Sequence, residues 1–236
     1  MSTIKINGIV IAENNLKDFD KMITLLTPNG QIGCSARGAR RSKSQLMAGT
    51  QFLSYGNFLL FKTPSSHIIN SCETLEVFYN IRTDLDKLQM ATNLTKLVRD
   101  TTYENQDSGD ILQLFLNSLY LISNSDMDLE FIETVFKLRL IHLLGFTPMI
   151  TSCCDCGKEE ELNYFSFKDN GFKCKDCGRV DSGAVEITDN IRIAIIYIIV
   201  AKPKKVFSFK IPDEEFKTLK MIVRNYTNNV LEKEYK

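Results

Sequence analysis

Only two histidines, His67 and His142, occur in the 236 residues, and neither stands in an H-x-E or H-E-x-x-H arrangement. Zinc deaminases and zincins need those spacings to activate water, so both classes are disfavoured. Gly8, Gly30, Gly33 and Gly38 do not assemble into G-x-x-x-x-G-K-[ST], and the phosphate cradle of nucleotide hydrolysis is missing. Net charge is also lacking, with 29 Lys and Arg against 29 Asp and Glu. There is thus no global basic field to advertise nucleic acid, and any such role must rest on local clustering. The longest apolar run, Ile193 to Ala201, is bounded by Arg192 and Lys202. It falls far short of the ~20 residues of a membrane span and reads as a buried helix or strand. No secretory signal pattern opens the chain, so its seven cysteines are expected to be reduced, in the cytoplasm, without structural disulfides. With 44% hydrophobic and 25% charged residues, the chain has ordinary globular composition and length for one large domain or two small ones.

The strongest signal present is Cys153, Cys156, Cys174 and Cys177, spaced C-x2-C-x17-C-x2-C, with Gly157 and Gly178 closing each half. Two thiolates two residues apart chelate one tetrahedral ion from a tight turn, and a following glycine accepts positive φ. Four soft ligands in this pairing mean one zinc ion. With four thiolates the shell is full, so the zinc is expected to be structural rather than a Lewis acid. Cys154 offers an alternative x1 spacing to Cys156; the x2 turn matches the second half, which leaves Cys154 spare. Leu162 to Phe167 and Gly171 to Lys173, around an Asp169-Asn170-Gly171 turn, complete a zinc ribbon over 150–182.

Residues before about 80 cluster in the β manner. Ile4 to Ile11, Lys21 to Thr27, Gln31 to Ala36, Phe52 to Lys62 and Ser66 to Phe78 predict five strands, with Gly8 a bulge or kink and Pro28-Asn29-Gly30 a turn. Five short strands predict a small barrel of the oligonucleotide-binding (OB) type, because a flat sheet of this size leaves its edges open. Between the third and fourth strands, Arg37, Arg40, Arg41 and Lys43 fall within seven residues with no acid among them. Gly38, Ala39, Ser42 and Ser44 are read as leaving this loop exposed and mobile, suited to phosphates. Phe52, Tyr55, Phe58 and Phe61 follow; one or two could stack on bases, but strand alternation makes most of them barrel filling. Cys34 and Cys72, in predicted strands, read as core thiols.

Beyond Thr83 the apolar period becomes helical. Helices are predicted from Leu85 to about Thr102, from Asp110, from Asp128 to Leu144, from Ile191 to Lys202, and from Pro212 onward. Residues 81–236 thus form a helical domain containing the ribbon, after a barrel domain at 1–80. The fold class is α+β. Between Asp100 and Glu133 no Lys or Arg occurs, so this acidic surface opposes DNA.

The barrel opening near Gly8-Ile9-Val10, the Arg37-Gly38-Ala39-Arg40-Arg41-Ser42-Lys43-Ser44 loop, the helical remainder, and Gly145-Phe146-Thr147-Pro148 leading into the cysteines together resemble the RecO family of bacterial recombination mediators. The resemblance covers essentially the whole chain. Arg37 stands where the family often has Lys and Ser42 where it often has Pro; all four cysteines are kept, which many members have lost. The resemblance implies a non-catalytic DNA-repair protein, cytoplasmic and nucleoid-associated. Such proteins bind single- and double-stranded DNA, anneal complementary strands, and work with RecR and the acidic tail of single-strand-binding protein so that RecA is loaded. On this sequence Arg37, Arg40, Arg41 and Lys43 are the expected phosphate contacts, and Lys137 and Arg139 are weaker candidates for the tail. The competing reading is a zinc-ribbon adaptor that binds protein only.

Overall fold

Strand β1 spans Ser2–Asn15, longer than its alternation predicts, because both of its edges are paired. It runs antiparallel to β2 (Lys21–Thr27) and to β4 (Tyr55–Lys62). With β3 (Gly30–Ala36) and β5 (His67–Glu76) the strands close a barrel in the order β1-β2-β3-β5-β4, the OB order. The seam is short and parallel: Cys34 meets His67 and Ser35 meets Ile68. This computed structural model describes residues 2–64 and 66–235.

The bulge in β1 falls between Val10 and Ala12, not at Gly8. Gly8 stays in register opposite Gly56, and each is crowded by the strand on its other side, β2 for Gly8 and β5 for Gly56. A Cβ at Gly8 would lie 2.9 Å from the Leu26 carbonyl oxygen, and one at Gly56 2.3 Å from that of Glu73. Inside the barrel, Val10, Ile23, Leu25, Phe58, Leu60 and Ile69 form the core.

The chain divides into two compact units, Met1–Ser125 and Asp126–Lys236. The first continues past the β-to-α change near residue 80 through helices α1 (Tyr79–Arg82), α2 (Leu85–Thr101) and α3 (Gly109–Asn124). Asp84 caps α2 by accepting from the backbone N–H groups of Asp86 and Lys87. The β2–β3 turn locks onto the end of α2: Gln31 Nε2 donates to the carbonyls of Thr102 (2.6 Å) and Arg99 (2.9 Å). A Cβ at Gly30, whose φ is 91°, would lie 2.0 Å from the Tyr103 carbonyl oxygen. Leu94, Leu97 and Val98 of α2 and Ile111, Phe115 and Leu119 of α3 are buried.

In the second unit α4 (Leu129–Leu143) packs against α6 (Asp189–Val200) and α7 (Asp213–Val230). Between α4 and α6 lies a three-stranded sheet, β6 (Tyr164–Ser166), β7 (Gly171–Lys173) and β8 (Val185–Glu186), in the order β7-β6-β8, with the short helix α5 (Lys175–Val180). The fold is therefore α+β: an OB barrel, then helices with an inserted cysteine module. No helix among the described residues is long and apolar enough to cross a membrane.

The crowding at β4 gives a direct test. Gly56→Ala is expected to destabilise the protein by about 1–3 kcal/mol in urea unfolding, whereas Gly33→Ala, with no atom within 4 Å of the added Cβ, should change stability by less than about 0.5 kcal/mol.

Candidate nucleic-acid interface and metal centre

The basic loop is built into the barrel rather than hung from it. Ala39 is fully buried and Leu46 nearly so, and both join the barrel core. Between them the backbone turns repeatedly: Arg41 N–H donates to Gly38 O (3.1 Å), Ser44 N–H to Arg41 O (2.9 Å) and Met47 N–H to Ser44 O (3.2 Å). This replaces the expected mobile loop with a string of bonded turns. The small residues serve the turn and the core: Gly38 takes φ 63° and Ala39 fills the barrel end. Further along, the Arg82 guanidinium holds the return of the loop, donating to Gln51 Oε1 and the Phe52 carbonyl, both at 2.6 Å.

With the apolar residues inside, Arg37, Arg40, Arg41 and Lys43 are all exposed. Among the described residues none of the four takes part in an ion pair. Arg40 is the one held in place: its guanidinium donates to the Leu16 carbonyl (2.8 Å) and lies over the Phe19 ring, 5.9 Å from the centroid. Of the four aromatics considered from the sequence, Phe58 is core, while Phe52, Tyr55 and Phe61 are half-buried. The exposed ring beside the loop is Phe19, in the β1–β2 turn, which the sequence reading passed over. Its signal was an apolar residue set in the polar run Lys17-Asp18-Phe19-Asp20.

In the second unit the sulfurs of Cys153, Cys156, Cys174 and Cys177 all lie within 4.8 Å of one another. Cys156 and Cys174 sulfurs are 3.7 Å apart, close to the ~3.8 Å that a tetrahedral ion with ~2.3 Å metal–sulfur bonds imposes. The four could hold one metal ion, and a set of four thiolates fits zinc. The first knuckle closes by Gly157 N–H on the Cys153 carbonyl (3.0 Å), with Gly157 at φ 74°. Gly178 acts differently. Its Cβ would fall 2.2 Å from the Tyr164 ring, so it is small for packing. Cys154 stands outside the quartet; its N–H donates to Phe172 O and its sulfur faces Gly171. Burial raises the Cys153 thiol, but the N–H groups of Cys156, Cys174 and Asp155 outweigh it and bring the thiol down to about 6.

Beside the knuckles, Lys173 is buried among three carboxylates, Asp169 at 2.6 Å and Asp155 and Asp181 at 3.0 Å. Burial disfavours its charge, yet hydrogen bonds to Asp169, Asp155 and Asp181 prevail and hold the ammonium well above its ordinary range. Asp181 is held down to about 2 by the Ser166 hydroxyl, then by Lys173 and the Gly183 N–H.

Lys137 and Arg139, on α4, are not solvated helix charges. Lys137 is buried with its ammonium 3.0 Å from Glu133, although its side chain also lines an open groove with Lys220, Val223 and Arg224. The Arg139 guanidinium donates to the carbonyls of Ile198 (3.0 Å) and Ile199, at the last turn of α6. His142 is half-buried, its Nδ1 2.7 Å from the Thr147 hydroxyl, and burial and then Arg139 lower its pKa. Burial pushes the Cys34 thiol up to about 12, leaving it a core group.

Two family models match the chain, "Recombination protein O N terminal" over residues 1–78 and "Recombination protein O C terminal" over residues 82–236. Among relatives called DNA repair protein RecO, that of Acetivibrio thermocellus is 40% identical over 237 residues, covering 100% of this chain and 94% of its own length. That of Alkaliphilus metalliredigens is 32% identical, covering 94% and 92%, and that of Caldicellulosiruptor saccharolyticus 31%, covering 100% and 96%. With family models over residues 1–78 and 82–236 and a relative 40% identical across the full length of this chain, the chain belongs to the RecO family of DNA-repair proteins.

Proposed function

We propose that the protein is a DNA-binding recombination mediator that grips DNA through Arg37, Arg40, Arg41 and Lys43. The observation that carries this reading is the exposure of four cations, without a carboxylate partner among the described residues, on a loop whose backbone is fixed by the barrel core. Guanidinium groups in that state offer their donors to phosphate oxygens without first breaking an ion pair. Neutralising phosphates on two strands lowers their mutual repulsion, which permits annealing of complementary strands without nucleotide hydrolysis. On this reading the DNA-binding domain is 1–80 and the helical domain 81–236, the ligands are single- and double-stranded DNA, and the setting is cytoplasmic, at the nucleoid. Partnership with RecR and with single-strand-binding protein, leading to RecA loading, is part of the proposal, which membership of a DNA-repair family supports.

The acidic tail of single-strand-binding protein is assigned to the face of α4 that bears Lys137. The groove there is lined also by Lys220 and Arg224, with Glu130 paired to Lys220 and Glu133 to Lys137, so Arg224 is the cation of the groove that takes part in no ion pair among the described residues. Arg139 acts as a positioning residue, tying α4 to the end of α6. One zinc ion on Cys153, Cys156, Cys174 and Cys177 is structural: it would close the ribbon at 150–182 and do no chemistry on DNA.

Two measurements follow. Four phosphate contacts to a single strand give a log–log salt slope of about −3, and replacing Arg37, Arg40 and Arg41 by Ala should flatten it to about −1. An unchanged slope moves the DNA site off the loop, and no oligonucleotide binding at low salt leaves the protein-only adaptor. Removing zinc with a chelator, or Cys174→Ala, should release the ion and lower the unfolding temperature of the second unit while oligonucleotide affinity changes less than twofold. Loss of DNA binding with the fold intact would make the metal centre functional.

A further inference from the structure

Phosphate binding by the loop leaves one neighbouring feature without a role. The β1–β2 turn closes with Leu16 N–H on Asp20 O (2.9 Å) and Asp20 N–H on Lys17 O (3.1 Å). Inside it Asp18 (φ 57°) and Phe19 (φ 67°) both occupy the left-handed region, which a bulky residue avoids unless its surroundings impose it. The consequence is that the Phe19 ring points out of the barrel, 57% exposed. It is not loose. The Phe19 carbonyl accepts from Arg40 N–H (2.9 Å), the Asp20 carboxylate accepts from Gly38 N–H (2.6 Å), and the Arg40 guanidinium sits over the ring while bonded to Leu16 O. An apolar face is thus held in water by the loop that carries the cations.

We propose that Phe19 is a base-stacking platform for single-stranded DNA, with Arg40 as the residue that orients the ring. The inference rests on the phosphate-binding reading of Arg37 to Lys43 and deepens it by naming what lies beside the phosphates. A guanidinium over one side leaves ring surface for an unpaired base, whose π-face every nucleotide offers. The charge around the ring suits a polyanion: Lys17, Arg37, Arg40, Arg41 and Lys43 are all exposed. Of the nearby acids, Asp20 is engaged by Gly38, and exposed Asp18 is the one that opposes a strand. In an OB barrel the β1–β2 loop is also one of the connections that general experience places against oligonucleotides. A duplex hides its base faces, so the platform favours single strands.

The chain has no tryptophan, so Phe19→Trp installs a unique fluorophore at the site. The expected result is quenching of that tryptophan by single-stranded oligonucleotide over the same concentration range as binding followed by anisotropy. Phe19→Ala and Phe19→Leu should weaken single-strand binding roughly 5- to 100-fold with the salt slope unchanged, while Phe19→Tyr restores it. An abasic strand of equal length should bind wild type and Phe19→Ala equally. Melting of each variant checks that it is folded. Full affinity in Phe19→Leu, or binding without quenching in Phe19→Trp, overturns the stacking role and leaves the phosphate site standing. Failure of the wild-type protein to bind any strand at low salt overturns both.

Discussion

Closure of the barrel is the constraint from which the rest of the first unit follows. Five strands close only if β3 meets β5, and they meet over just two residue pairs, Cys34 with His67 and Ser35 with Ile68. A seam that short leaves apolar residues near Ala36 in need of cover. The β3–β4 connection supplies it by sending Ala39 and Leu46 into the core beside Val10, Phe58 and Leu60. Once those two are inside, the cations between and around them have nowhere to go but out, because burying an unpaired guanidinium costs several kcal/mol. Display of charge on this barrel is thus a by-product of completing its core.

The cysteine module meets a related difficulty differently. Some thirty residues with two short strands bury too little apolar surface to hold themselves together. Here polar cross-links add to a small buried aromatic cluster of Phe165 and Phe172. Four sulfurs converge from two turns, and the residue before Cys174 is Lys173, buried against carboxylates from the first knuckle (Asp155), the β6–β7 turn (Asp169) and the segment after α5 (Asp181). Each of these groups is uncomfortable without the others: removing the ammonium would leave three carboxylates facing one another. The four clustered cysteines and the ion-paired residues interleave along the chain, so ordering one set orders the other. Together with the buried Phe165 and Phe172, whose rings pack edge to face, these cross-links order a module inserted between α4 and α6.

Much of this was legible in the sequence, and the failures have physical causes. Barrel strands and long helices showed because their apolar residues repeat at the strand and helix periods, and the cysteine quartet because chelation dictates spacing. Gly8 was misread as a bulge since a glycine in a strand signals either irregularity or close approach; the Leu26 carbonyl of the neighbouring β2 decides for the second. Ala39 looked like a spacer, because a small apolar residue amid arginines carries no periodicity. Lys137 and Arg139 looked like surface cations; their partners, Glu133 and the α6 carbonyls of Ile198 and Ile199, lie four and about sixty residues away. Phe19 left only a faint signal, an apolar residue in a polar turn, because its exposure results from two adjacent left-handed residues, neither of them glycine, and no composition rule foretells that.

The overall charge of zero is not an obstacle to DNA binding. Residues 1–78 hold eight Lys and Arg against five Asp and Glu, and screening at physiological salt confines each charge to about 8 Å, so a strand on the loop responds to the charges close to it rather than to the net charge of the chain. On the proposed reading the composition of the site also bears on what a bound strand can do next. Arginines on phosphates and one ring on a base face leave the Watson–Crick edges untouched, and those edges are what a second strand must find. A site with many rings would trap each base and oppose pairing; one with none would hold duplex as well as single strand and give no order to the exchange. A single exposed ring among exposed cations is the intermediate case: stacking favours the unpaired strand at capture, and one lost stack is a small cost once pairing spreads along the remaining bases.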